Sequence, residues 1–267
     1  MDNIRLDHVS FSYPNGYEAV HDVTLEIKAG ERVAILGQNG AGKTTTVKLM
    51  NNLNKPTTGD VLVGDRNTKD FTTAQISQVV GYVFQNPDDQ IFHATVREEV
   101  EYGPRVALGL SEGETDARTE RALKLAGLWE KRETNPFDLP LSVRKFVAIA
   151  AIVACDPSVF ILDEPTAGQD LYGMRLLSQI IDELHSEGKT VITITHDIEF
   201  AASEFERIIV MCQKEVIKDG TALEVFYDDE AIERAKLKAP YVVRLARTLG
   251  IGNGTVLTEE DFVKAYV

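Results

Sequence analysis

The stretch Gly37-Gln38-Asn39-Gly40-Ala41-Gly42-Lys43-Thr44 matches the pattern of a glycine, four residues and then Gly-Lys-Thr. It follows Arg32-Val33-Ala34-Ile35-Leu36, a short apolar run suited to a buried parallel strand, and it opens a helix. In that setting the glycines let successive backbone N–H groups turn inward around phosphate oxygens, and the helix N-terminus adds positive potential. Lys43 is placed to reach the β- and γ-phosphates of a nucleotide, and the Thr44 hydroxyl to ligate Mg²⁺. The candidate ATP-binding residues run from Gly37 through Thr44 to Thr45.

Working outward, residues 3 to 13 alternate in two phases, Ile4 and Leu6 and then Val9, Phe11 and Tyr13, which predicts a half-buried strand with a bulge. A second strand is predicted from Val20 to Ile27. From about Asn86 to Ala154 the pattern turns helical: Thr95-Val96-Arg97-Glu98 and Ser111-Glu112-Gly113-Glu114 fit the capping box, and Val147 to Ala154 is apolar almost all round. After Pro157, Val159 to Leu162 and Val191 to Thr195 read as strands flanking a helix with Met174, Leu177, Ile181 and Leu184 on its buried face. Such alternation indicates an α/β fold with a parallel sheet and covering helices. From Ala239 the chain reads as a small appendage, with a helix from Tyr241 to Leu249, a glycine-rich turn and a last helix after Leu257.

The 267 residues carry 42 acidic against 28 basic side chains, a formal net charge of −14. A surface this negative repels nucleic-acid phosphates and anionic lipid, so no nucleic-acid partner is expected. No apolar run approaches the roughly 18 residues of a bilayer span, and Met1 to Tyr13 lacks the regions of a signal peptide. Cys155 and Cys212 lie in apolar stretches without metal-ligand spacing and are expected to be reduced core thiols in a cytosolic, non-exported chain.

The second chemical element is Phe160-Ile161-Leu162-Asp163-Glu164-Pro165. A buried strand ending abruptly in two carboxylates puts them at the carboxyl edge of the sheet, where doubly wound folds bind ligands. Asp163 is then a Mg²⁺ partner, and Glu164 is positioned to polarise a water attacking the γ-phosphate.

With these two elements the chain resembles the nucleotide-binding subunits of ABC transporters. Tyr13 in Phe11-Ser12-Tyr13-Pro14 looks like the aromatic that stacks on adenine, Gln85 in Tyr82-Val83-Phe84-Gln85 like the loop glutamine that touches Mg²⁺, and His196 after Thr193-Ile194-Thr195 like the switch histidine that contacts the γ-phosphate. The segments Gln85 to Phe92 and Thr95 to Val100, with the C-terminal helices, resemble the ATPases of energy-coupling factor transporters for vitamins and metal ions. The resemblance implies a phosphate-loop ABC-ATPase fold over residues 1–238, with an antiparallel β subdomain and a helical insert at about 86–154, followed by a C-terminal helical extension over 239–267. It also implies Mg²⁺-dependent ATP hydrolysis with Glu164 and His196 as catalytic residues.

One segment departs from the family. Where its members carry Leu-Ser-Gly-Gly-Gln ahead of a Val-Ala-Ile-Ala helix, the gapless alignment gives Leu139-Pro140-Leu141-Ser142-Val143. Pro140 removes a hydroxyl and an N–H, and bulk replaces glycine where backbone approaches phosphate. A shifted register beginning at Leu141 needs a two-residue deletion and would let Ser142, Arg144 or Lys145 substitute. Gln169 in Ala167-Gly168-Gln169-Asp170 replaces the family's usual leucine. Because ABC cassettes work head-to-tail, each completing the other's site, the resemblance implies a heterodimer with a second ATPase that has an intact signature. The pair would dock on an integral membrane coupling (T) subunit alongside a substrate-binding (S) subunit, at the cytoplasmic face of the membrane. The alternative is a regulatory, weakly hydrolysing subunit of the same kind of complex.

Overall fold

The computed structural model describes residues 2–266. Its first two strands, β1 (Ile4–Ser12) and β2 (Glu18–Ile27), pair antiparallel, and register shifts between Leu6 and Ser12 confirm the expected bulge. Then come β3 (Arg32–Leu36), α1 (Lys43–Met50), β4 (Thr58–Val63), β5 (Arg66–Asn67), α2 (Thr73–Ser77) and β6 (Val80–Val83). The helical stretch holds α3 (Val96–Tyr102), α4 (Glu112–Leu125) and α5 (Leu141–Cys155), and both predicted capping boxes form, Thr95 with Glu98 and Ser111 with Glu114. The chain continues through β7 (Val159–Asp163), α6 (Leu171–Ser186), β8 (Thr190–Ile194), α7 (Ile198–Glu204), β9 (Arg207–Cys212) and β10 (Glu215–Thr221). It ends with α8 (Ala222–Phe226), α9 (Asp229–Arg234), α10 (Tyr241–Leu249) and α11 (Glu259–Tyr266).

Two sheets organise these elements: a four-stranded antiparallel sheet in the order β2-β1-β4-β5, and a six-stranded sheet in the order β10-β9-β3-β8-β7-β6, parallel except for β10. Both faces of the parallel part of the larger sheet are covered, as the apolar runs of its strands require. Val33, Ile35, Ile161 and Ile192 face the smaller sheet and α1, while the alternate residues Ala34, Leu36, Phe160, Leu162 and Val191 face the helical stretch and α6. Leu177, Ile181 and Leu184 of α6 are fully buried and Met174 packs at their margin. Contrary to expectation, neither Cys155 nor Cys212 is a core thiol: each is only partly buried.

The order β3-β8-β7-β6 fixes the site, because loops leaving the carboxyl ends of adjacent parallel strands emerge side by side. After β3 comes Gly37, after β8 His196, at the end of β7 Asp163 and Glu164, and after β6 Gln85. Four segments far apart in sequence thus meet along one sheet edge.

Candidate active site

The loop from Gly37 to Gly42 is shaped by glycines with left-handed backbone, at φ 149 for Gly37, 80 for Gly40 and 99 for Gly42, the N-cap of α1. Part of this shape is imposed from outside. A Cβ at Gly37 would overlap the Met211 carbonyl of β9, and the β9–β10 turn leans on the loop, with Lys214 N donating to Ala41 O (3.2 Å) and His21 N donating to Lys214 O (3.0 Å). Both residues of that two-residue turn, Gln213 (φ 50) and Lys214 (φ 77), adopt the left-handed backbone that hairpin turns of this kind demand and that Asn-Gly satisfies best.

Lys43 curls back so that its Nζ donates to Gly37 O (2.7 Å) and Gln38 O (3.1 Å). Its amine is nearly buried, and burial lowers its pKa, opposed by the nearby carboxylates of Glu164 and Asp163. The Thr44 hydroxyl donates to Asp163 Oδ1 across 3.5 Å. On the other side, Tyr82 OH donates to Asp163 Oδ2 at 2.6 Å, and burial beside Asp163 pushes the Tyr82 phenol far above its usual range. Asp163 is therefore anchored by one oxygen while the other faces Thr44.

Glu164 is buried with a left-handed backbone, φ 51. Its Oε2 accepts from His196 N (3.2 Å) and its Oε1 lies 3.1 Å from His196 Nε2. That same nitrogen is 3.5 Å from Lys43 Nζ, so one imidazole nitrogen sits between a donor and an acceptor and serves one at a time. Burial raises the carboxyl pKa of Glu164, opposed by the His196 N–H and Lys43. Burial and then Lys43 lower that of His196, favouring the neutral ring. A carboxylate made more basic by burial is the better proton acceptor for a water beside it.

Residues 39–45, Gln85, Glu164 and His196 line one cleft of about 170 Å³. That is below the roughly 300 Å³ at which a pocket encloses a small molecule, so the cleft suits a phosphate chain while the rest of a nucleotide would lie outside it. Tyr13 borders this region: its ring packs edge-on to Phe11 at 4.9 Å and its hydroxyl lies 3.1 Å from Thr45 Oγ1. Hard oxygen donors from Thr44, Asp163 and Gln85 around the cleft fit Mg²⁺.

The segment Leu139 to Val143 is not in this cleft. It opens α5, with Pro140 at the N-cap and no side-chain cap. Of the residues offered as substitutes in a shifted register, Lys145 points inward, buried, and donates to Glu164 O at 2.6 Å, while Arg144 Nε lies 3.3 Å from Asp88. Lys145 is thus unable to present its charge on the surface. Sequence reasoning missed Tyr82 and Lys145 as neighbours of the acidic pair; Tyr82, a lone hydroxyl in an otherwise apolar strand ending beside Gln85, was the available signal.

The ABC transporter family profile matches residues 20–167. An energy-coupling factor transporter ATP-binding protein of Methanothermobacter thermautotrophicus is 41% identical over 249 residues, covering 92% of this chain and 79% of its own length. Among solved structures, cbiO1 of Clostridium perfringens, part of an ABC transporter complex, superposes with a TM-score of 0.78 at 33% identity, covering 94% of this chain and 100% of its own. A dimeric ATP-binding cassette in a post-hydrolysis state, bound to ADP and Pi, superposes with a TM-score of 0.74 at 31% identity, covering 82% and 98%.

Proposed function

The chain belongs to the ABC transporter family as an ATPase of the energy-coupling factor type, and we propose that it powers uptake of a vitamin or metal ion as one half of an ATPase heterodimer. The observation that carries this reading is the convergence of Lys43, Glu164 and His196 on one cleft, with Glu164 hydrogen-bonded to His196 and Asp163 beside the cleft at Thr44. In this reading the Gly37–Thr45 backbone and Lys43 hold the triphosphate, and Tyr13 stacks on the adenine. Thr44, Asp163 and Gln85 would hold Mg²⁺, which would supply positive charge to offset that of the phosphates. Glu164 orients the attacking water and accepts its proton, and His196 contacts the γ-phosphate.

The heterodimer rests on the α5 N-terminus. Pro140 offers neither hydroxyl nor N–H, and Leu141 stands half exposed where a partner's phosphate would come close. The partner ATPase supplies an intact signature to this chain's cleft, and the site that receives Leu139 to Val143 turns over slowly. Both ATPases sit at the cytoplasmic face of the membrane on a T subunit with an S subunit. The net charge of −14 suits basic segments of that membrane partner. Among the described residues no helix is long and apolar enough to cross a membrane.

In the complex purified through a tag on this chain, Glu164→Gln is expected to retain ATP and lower turnover by about 10² to 10⁴. Unchanged turnover in that variant removes Glu164 from the chemistry and leaves the regulatory reading.

A further inference from the structure

Glu164 combines two conformational restrictions. Its backbone is left-handed at φ 51, and it precedes Pro165, a position whose steric preference is extended backbone. Relaxation toward that preference would swing the carboxylate away from His196. Four bonds oppose it: Glu164 N donates to Ile194 O (2.9 Å), Glu164 Oε2 accepts from His196 N, and Glu164 O accepts from Lys145 Nζ at 2.6 Å and, at the longer distance of 3.4 Å, from Ala167 N.

The third bond is the unusual one. Lys145 is 5% exposed, on the second turn of α5 beside the apolar run Phe146 to Ala150, where an aliphatic side chain would be the ordinary occupant. Burial lowers its pKa, and the nearby carboxylates of Glu164 and Asp163 oppose that shift. An ammonium kept there against its desolvation is directed at one acceptor, the carbonyl of the strained residue. A second tie runs alongside: Gln169 Nε2 donates to Ser142 O at 3.0 Å, and Gln169 N donates to Thr166 O at 3.1 Å. Two side chains thus fasten the first two turns of α5 to residues 164–169 of the same chain.

We propose that Lys145 is a positioning residue for Glu164 and that, with Gln169, it makes the altered end of α5 and this chain's own acidic turn a single braced unit. Whatever Pro140, Leu141 and Ser142 meet on a partner is then felt at Glu164, linking the two composite sites through one rigid body. The inference rests on the reading of Glu164 as the carboxylate that activates water.

The test compares Lys145→Met, Lys145→Gln, Gln169→Leu and Glu164→Gln in the complex purified through a tag on this chain, measuring kcat and KM for ATP hydrolysis. Lys145→Met should lower kcat by about 10- to 100-fold, the scale set by a small misplacement of a catalytic group, with KM changed by no more than about twofold. Lys145→Gln, uncharged but still a donor, should recover most of the loss, and Gln169→Leu should lower kcat by a smaller factor. A wild-type kcat in Lys145→Met, an equal loss of kcat and ATP affinity, or a Lys145→Gln variant as slow as Lys145→Met overturns the brace. Should Lys145→Met fail to fold, a wild-type kcat in Gln169→Leu does the same. Full turnover in Glu164→Gln overturns the catalytic reading itself, whatever the Lys145 variants do.

Discussion

Helices α1 and α5 both begin where a phosphate would be met in an ABC dimer, and both carry the same partial positive charge at that end. They differ in what lets a phosphate reach it. At α1 the approach is built of glycines with left-handed backbone, Gly42 is the N-cap, and Lys43 is folded inside. At α5 the N-cap is a proline with φ −54, no side chain caps the first turn, and the Leu141 side chain projects from it. A helix dipole attracts an anion, but accessible N–H groups bind it. In the proposed heterodimer the first end would serve the chain's own nucleotide and the second would serve another's poorly.

The contrast can be broken most severely from the α1 side. Lys43→Ala removes a cation within reach of both Glu164 and His196, and kcat/KM for ATP in the purified complex should fall by about 10² to 10³. If it does not, while the corresponding lysine of the partner is essential, this chain is a scaffold. Restoring the α5 end tests the other side: with Glu164→Gln silencing this chain's own site, changing Leu139-Pro140-Leu141-Ser142-Val143 to Leu-Ser-Gly-Gly-Gln should raise residual turnover at least about tenfold, as recovered transition-state donors do. No gain would mean that the poor signature does not limit the second site.

Two smaller effects sharpen the account of the acidic turn and its surroundings. Tyr82→Phe strips a buried oxygen of Asp163 of its donor, so urea denaturation should show a loss of about 1–3 kcal/mol, with the midpoint falling at unchanged m-value. Cys155, packed beside Gly103 at the end of α5, has its thiol pushed up to about 11 by burial. A thiol reacts as its thiolate, so alkylation at Cys155 should stay slow at neutral pH and accelerate only as pH climbs toward that value. Fast labelling of native protein at pH 7 would show that the α3–α5 contact opens.

Much of this was legible because it is local. The glycine pattern before Lys43, the capping boxes at Thr95 and Ser111, the bulged alternation of β1 and the tail helix from Tyr241 to Leu249 all depend on neighbours in sequence, and each appears where its spacing put it. The resemblance to ABC ATPases added Gln85 and His196, whose approach to Lys43 depends on strand order. What escaped is tertiary. Nothing near Lys145 announces that its amine turns inward to a carbonyl nineteen residues away, and although a lone hydroxyl in an apolar strand marks Tyr82, only strand order supplies its partner in β7. The β4–β5 and β9–β10 pairs escaped too, since β4, β5 and β10 carry mixed patterns that only pairing resolves, although β9 is itself an apolar run.

The turn at Gln213 and Lys214 has a last consequence. It holds two non-glycine residues in left-handed backbone in order to lean on Ala41, and the neighbouring Met211 carbonyl leaves room at position 37 for glycine alone. The nucleotide loop is therefore cast against a mould supplied by a hairpin more than 170 residues downstream that lends the cleft no side chain. Such a loop is not portable: Gly37 to Thr45 grafted between a strand and a helix of another protein would carry the composition of a phosphate site without its form, unless the hairpin travelled with it.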